Sequence, residues 1–173
     1  MITITTGRNP TQNTRRLCKE LSWVIPDSRR LVRGKRSLTQ IMDEMKASGS
    51  DRLMLIQRRF GNPHRIELNI LENKNLRRFP PSIILRGVKF PPAKGRSLKT
   101  KVECITTDSN DLLALGESLS KFLKIPLVKL NETKFEYSLH LSKDRLGRVV
   151  ITISNLITGE EKNLVIYVER LEW

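Results

Sequence analysis

The chain has 173 residues, with 32 Lys and Arg against 18 Asp and Glu, a net charge of +14 at neutral pH. Its apolar content, 38%, is enough for a folded core, and Ile, Leu and Val recur throughout, which excludes a disordered basic tail. No apolar stretch approaches the roughly 20 residues that span a bilayer, so no membrane partner is expected.

The start, Met1-Ile2-Thr3-Ile4-Thr5-Thr6, alternates like a β-branched strand and lacks the basic and apolar blocks of an export leader. Gly7-Arg8-Asn9-Pro10 is a turn. A helix follows, with Asn9 as the expected N-cap, Pro10 at its first position, and Leu17 and Leu21 on its apolar stripe beside Cys18. Trp23-Val24-Ile25-Pro26 closes the unit, and a short strand is predicted over residues 30–32. Ser37-Leu38-Thr39-Gln40 is a capping box for a second helix, whose Leu38, Ile41, Met42 and Met45 share one face. Leu53-Met54-Leu55-Ile56 is a continuous apolar run, as expected of a strand covered on both sides. Gly61-Asn62-Pro63 turns into a half-buried strand with Ile66, Leu68 and Ile70. A short strand is predicted over residues 82–86, and residues 87–101 read as a basic linker or exposed loop.

At residue 102 the pattern restarts. Ile105-Thr106-Thr107, a helix capped by Asp108 or Ser109, and Ile125-Pro126 echo Ile4-Thr5-Thr6, the first helix and Ile25-Pro26. The charge changes at the same place. Residues 1–101 hold 23 Lys and Arg against 7 Asp and Glu, whereas residues 102–173 hold 9 against 11. A field directed from one half points to an extended anionic partner on that side. The second half ends in a predicted meander: Phe135, Tyr137, Leu139 and Leu141 alternate, residues 144–147 turn, residues 149–153 return, and residues 164–168 close it. The fold class expected is mixed α/β (α+β), a single domain of two similar halves, 1–86 and 102–173, joined by the basic linker at 87–101.

Catalytic signatures are absent from the sequence. His64 and His140 have no nucleophile or carboxylate at a telling spacing and read as solvated or structural. Gly34-Lys35 sits in a phosphate-loop-like stretch that fails at Arg29 and Arg36. Cys18 and Cys104 are isolated, read as buried structural thiols, and would bridge only in an oxidising compartment or a hyperthermophilic cytosol. No catalytic residue, metal or cofactor is expected.

The first strand–turn–helix is the best candidate site. Gly7 allows close approach, the helix start offers free N–H groups to a phosphate, and Arg8, Arg15 and Arg16 stand around it with Asn13 and Thr14 as neutral donors. Arg33, Lys35 and Arg36 extend the basic track, and Arg58 and Arg59 add to it. Phe60 and Phe79 each follow an arginine and offer base stacking beside the charge. The corresponding turn of the second half, Thr107-Asp108-Ser109-Asn110-Asp111, carries carboxylates instead.

The run Ile4-Thr5-Thr6-Gly7-Arg8-Asn9-Pro10-Thr11-Gln12-Asn13-Thr14-Arg15, with Leu17 and Leu21, resembles the opening of Brix-domain proteins. Arg33-Gly34-Lys35 before Ser37-Leu38 and the turn Gly61-Asn62-Pro63 match further blocks, so the resemblance is carried by residues 2–63. It implies a stand-alone archaeal member: a cytoplasmic, monomeric, non-enzymatic ribosome-biogenesis factor that binds ribosomal RNA precursor. It also implies two halves akin to the anticodon-binding domains of class II aminoacyl-tRNA synthetases, with the C-terminal half open to ribosome-assembly proteins. A tRNA-binding module, an RNA-processing nuclease and a constitutive ribosomal protein stand as alternatives.

Overall fold

The computed structural model describes residues 1–73, 75–92, 100–130 and 134–173, with the backbone alone at 162 and 163. Lys94, Arg96 and Lys99 of the expected basic loop lie outside the described residues. Among the described residues, ten strands form one sheet: β1 (Ile2–Thr6), β2 (Ser28–Arg30), β3 (Arg52–Arg59), β4 (Asn62–Glu72), β5 (Asn75–Lys89), β6 (Cys104–Thr107), β7 (Leu127–Val128), β8 (Tyr137–Lys143), β9 (Val149–Asn155) and β10 (Glu161–Glu172). Three helices join them: α1 (Gln12–Val24), α2 (Leu38–Ala47) and α3 (Leu113–Leu123). The strand order is β2-β1-β3-β4-β5-β10-β9-β8-β6-β7. β1 is parallel to both β2 and β3, β6 is parallel to both β7 and β8, and the remaining neighbours are antiparallel. The class is therefore mixed α/β, with one large mixed sheet and three helices.

The period of two in β1 assigns its faces. Ile2 and Ile4 face α1, in a core that also takes Met54 and Ile56 of β3 and Leu115, Leu119 and Phe122 of α3. α1 and α3 thus share one side of the sheet. Leu53 joins Ile41 and Met45 of α2 in a second cluster, so β3 is covered by helices on both faces, as its unbroken apolar run predicts. Thr3 and Thr5 are buried with their hydroxyls spent, on the Ser50 hydroxyl at 2.9 Å and the Leu31 carbonyl at 2.7 Å. Around the central β5–β10 pair, the first half is tied to the second by the Val102 N–H on the Val24 carbonyl (2.8 Å), by Arg52 on the Phe122 carbonyl (2.6 Å) and by Phe79 against Phe122, with ring centres 5.6 Å apart.

Several element boundaries differ from the sequence expectation. Asn9 adopts a left-handed conformation (φ 51°) that makes the turn, so the N-cap falls to Thr11, whose hydroxyl accepts from the Thr14 N–H at 3.4 Å. The strand expected at residues 30–32 is β2, shifted two residues earlier. Leu38 is exposed and does not share the apolar face of α2, whereas the Ser37/Gln40 capping box forms in both directions. α3 starts at Leu113 after a 3-10 turn (Asn110–Leu112), and neither Asp108 nor Ser109 provides a side-chain cap. The strand expected at residues 82–86 is the middle of the 15-residue β5, which takes in residues 87–89 of the expected linker. Cys18 and Cys104 are both buried and unbridged.

Two predictions follow from this packing. Phe122 is fully buried and Phe122→Ala opens a cavity between the halves, so it costs about 3–5 kcal/mol in denaturant unfolding. Glu20 is buried on α1, one carboxylate oxygen has no partner among the described residues, and burial raises its pKa against the pull of Arg16 and Lys19. A raised carboxylate holds its proton longer in the fold, so its contribution is lost as pH rises from the ordinary value of 4.5 to the raised one. Glu20→Gln therefore gains stability relative to wild type as pH rises through that window; parallel melting profiles across it would contradict the assignment.

Candidate nucleic-acid interface

Parallel pairing decides which loops meet. Ile4 is in register with Arg30 of β2, and Thr6 with Ile56 of β3, so the carboxyl ends of three strands lie at one edge of the sheet. The β1–α1 turn, the loop after β2 and the β3–β4 hairpin emerge there side by side. Each of these loops is basic. Gly7 is held by its N–H on the Ile56 carbonyl at 2.8 Å, and a Cβ at that position would be in ordinary van der Waals contact with Gln57. The hairpin turns through two left-handed residues, Phe60 (φ 48°) and Gly61 (φ 81°).

Two clefts open between these loops. One, of about 440 Å³, is lined by Thr6, Asn9, Arg15, Cys18, Arg30, Arg33, Gly34 and Lys35. The other, of about 470 Å³, is lined by Gly7, Arg8, Arg33, Gln57, Arg58, Arg59 and Phe60. Arg33 belongs to both. Only 9% exposed, it donates from Nε to the Arg36 carbonyl (3.3 Å) and from Nη1 to the Thr6 carbonyl (3.4 Å). Burial, and then the charge of Arg8, lowers its pKa. The first cleft also holds the Cys18 thiol, pushed up to about 11 by burial against the pull of Arg30; it is an inert structural thiol.

The structure sorts the predicted residues. Gly7, Arg8, Arg15, Arg33, Lys35, Arg58 and Arg59 line the clefts. Asn13 is exposed on α1 and lines neither cleft. Thr14 is fully buried, with its hydroxyl 2.9 Å from that of Thr11, and serves the helix start. Arg16 turns away: it donates to the Pro91 carbonyl, stands over the Phe90 ring at 4.7 Å and lies 4.0 Å from Glu20. Arg36 is spent on Glu44 of α2 and on the Val32 carbonyl at 2.8 Å. Arg30, a cleft residue outside the predicted set, was visible only as one more arginine in a basic run; its place depends on the β1–β2 register.

Ion pairing separates the cations further. Arg52, Arg65, Arg77, Arg78 and Arg86 each meet a carboxylate: Asp51, Glu67 with Glu172, Glu72, Glu67 and Asp144 respectively. Among the described residues, no carboxylate lies within 4.0 Å of a cationic nitrogen of Arg8, Arg15, Arg30, Arg33, Lys35, Arg58 or Arg59. At the matching edge of the second half, beyond β6 and β7, a cleft of about 420 Å³ is lined by Thr107, Asp108, Ser109, Asn110, Leu113, Leu127, Val128 and Lys129. It occupies the same place on its strands with none of the arginines. His64 is half-buried, and His140 holds its Nδ1 2.9 Å from the Thr106 hydroxyl. Among the described residues, no three His, Cys, Asp or Glu gather as a metal site, and no helix is long and apolar enough to cross a membrane.

No family model matches the chain. It is 32% identical over 130 residues to a "Probable Brix domain-containing ribosomal biogenesis protein" of Saccharolobus solfataricus, covering 75% of this chain and 71% of that one. To the protein of the same name from Methanopyrus kandleri it is 30% identical over 134 residues, covering 72% and 67%. The fold is similar to the crystal structure of a probable ribosomal biogenesis protein from Aeropyrum pernix, with a TM-score of 0.74 at 21% identity over 96% of this chain and 94% of that one. An archaeal Imp4-like protein is similar with a TM-score of 0.71 at 19% identity over 98% of both chains. At two thirds or more of the length of two curated relatives, the sequence match is decisive: the chain belongs to the family of Brix domain-containing ribosomal biogenesis proteins.

Proposed function

We propose that the protein is a non-catalytic ribosome-biogenesis factor of the cytoplasm that binds precursor ribosomal RNA on the basic edge formed by the ends of β1, β2 and β3. The observation that carries this is the gathering, among the described residues, of seven cations without carboxylate partners around two clefts, while most of the other described arginines are paired. Crowding like charges costs free energy unless an anion neutralises them. The phosphate backbone of RNA is an extended anion that matches such a row. Family membership makes ribosome assembly the setting, and precursor rRNA the RNA of first choice.

The repeated strand order on either side of the β5–β10 pair supports reading the chain as two similar halves, basic at 1–86 and near-neutral at 102–173. In that reading the cleft at Thr107, Asp108 and Ser109 keeps the scaffold, but with one carboxylate against Lys129 and none of the arginines it offers phosphate little, which leaves the second half to assembly proteins.

The test is charge reversal by position. Replacing Arg8, Arg15 and Lys35 together by Glu lowers the slope of log affinity against log salt for precursor-rRNA fragments by about 2, at roughly 0.7 per single-strand phosphate contact. Reversal at Arg77, already paired with Glu72, leaves the slope near wild type. The opposite ranking, in folded variants, would move the interface to β5. Competition by tRNA equal to that of the precursor would favour a general tRNA-binding module.

A further inference from the structure

Among the described residues, Phe60 is the most exposed large hydrophobic side chain. Its ring is 87% exposed at the tip of the β3–β4 hairpin, and its backbone is left-handed (φ 48°), a conformation that bulky residues rarely adopt. The two-residue turn between the paired Arg59 and Asn62 requires that conformation at both of its central positions, so the hairpin itself holds the ring at its tip. The neighbouring Arg59 guanidinium stands over the ring at 5.0 Å, and both line the cleft that Arg33 shares. A planar apolar face is thus fixed beside a row of unpaired cations.

Arg33 fixes the other end. Two of its N–H groups reach backbone oxygens, and the remaining donors of the guanidinium have no partner among the described residues. It is buried, it repels Arg8, and it is a wall of both clefts at once. An arginine held in place by backbone carbonyls cannot swing out to follow a mobile ligand. It can bridge two anionic groups that arrive in register, one from each side, and its low-dielectric surroundings strengthen both contacts.

We infer that the two clefts hold successive phosphates of one unpaired RNA strand across Arg33, with a base of that strand stacked on Phe60. This rests on the RNA-binding reading above and adds the strandedness of the ligand. A base inside an A-form helix is already stacked on both faces and cannot lie on a side chain, whereas an unpaired one can. An acidic peptide would satisfy the cations but has no use for the aromatic tip.

The experiment compares three probes of equal phosphate number: a short single-stranded oligoribonucleotide carrying 2-aminopurine, an abasic ribose-phosphate strand, and the same sequence annealed as a duplex. Wild-type protein should prefer the unpaired strand to the abasic one by about fivefold or more and should quench the 2-aminopurine. Phe60→Ala, a change at an exposed position, should bring the two affinities together and abolish quenching. Arg33→Gln should lower the salt slope on the unpaired strand by about 1.4, the loss of two phosphate contacts. Equal affinity for abasic and unpaired strands, with the wild-type salt slope intact, would overturn the stacking inference and leave the RNA interface standing. A preference for the duplex would overturn strandedness. Polyglutamate binding in place of every RNA probe would remove the inference and the RNA reading together.

Discussion

β1 is hydrogen-bonded in parallel to β2 on one side and to β3 on the other, so all three strands deliver their carboxyl ends to one edge of the sheet. Every feature of the basic face depends on that pairing. An antiparallel partner would send its loop to the far edge and leave Arg8, Arg33 and Arg58 in separate places. Parallel strands need a crossover, and α1 and α2 supply it, one on each face of the sheet. The Thr3 and Thr5 hydroxyls close the α2 side, so the strand that aims the site is satisfied on both faces.

The charge of the first half is divided by carboxylate supply. On β4 and β5, Glu67 and Glu72 stand beside Arg65, Arg77 and Arg78, and these pairs sit on a continuous stretch of sheet. Among the described residues, no carboxylate lines the two clefts at the strand ends. Seven of the chain's cations thus stand together at that edge as an uncompensated local field. β6 likewise lies between two parallel neighbours, β7 and β8, and the cleft beyond them is lined by Asp108, Lys129 and neutral groups. The cleft at residues 107–129 thus sets one carboxylate against one lysine where the clefts at the ends of β1, β2 and β3 hold only cations among their charged groups.

Local chemistry was legible in the sequence wherever it obeyed short-range rules. The β1–turn–α1 unit, the Ser37/Gln40 box and the doubly covered run at residues 53–56 were all readable, because caps and hydrophobic periods act within a few residues. β5 was not: Arg77, Arg78, Pro80 and Pro81 interrupt its apolar pattern, and its length comes from pairing with β4 on one side and β10 on the other. Thr11 displaced Asn9 as the cap because the turn needed a left-handed residue there, a demand visible only in the backbone. Most of all, the sequence could not say which arginines were free. Arg65 meets Glu172 from 107 positions away, and Arg16 meets the Pro91 carbonyl from 75. Composition showed a basic half, whereas register and long-range pairing selected the few side chains that remain for a ligand.

The most direct measurement is a titration of the protein with a precursor-rRNA fragment while following the arginine Nε–Hε signals by NMR. The account predicts shifts at Arg8, Arg15, Arg30, Arg33, Arg58 and Arg59, with Arg36, Arg65, Arg77 and Arg78 held by their carboxylates and little changed. Shifts confined to the paired arginines of β4 and β5, or perturbations gathered instead at residues 107–129, would contradict it.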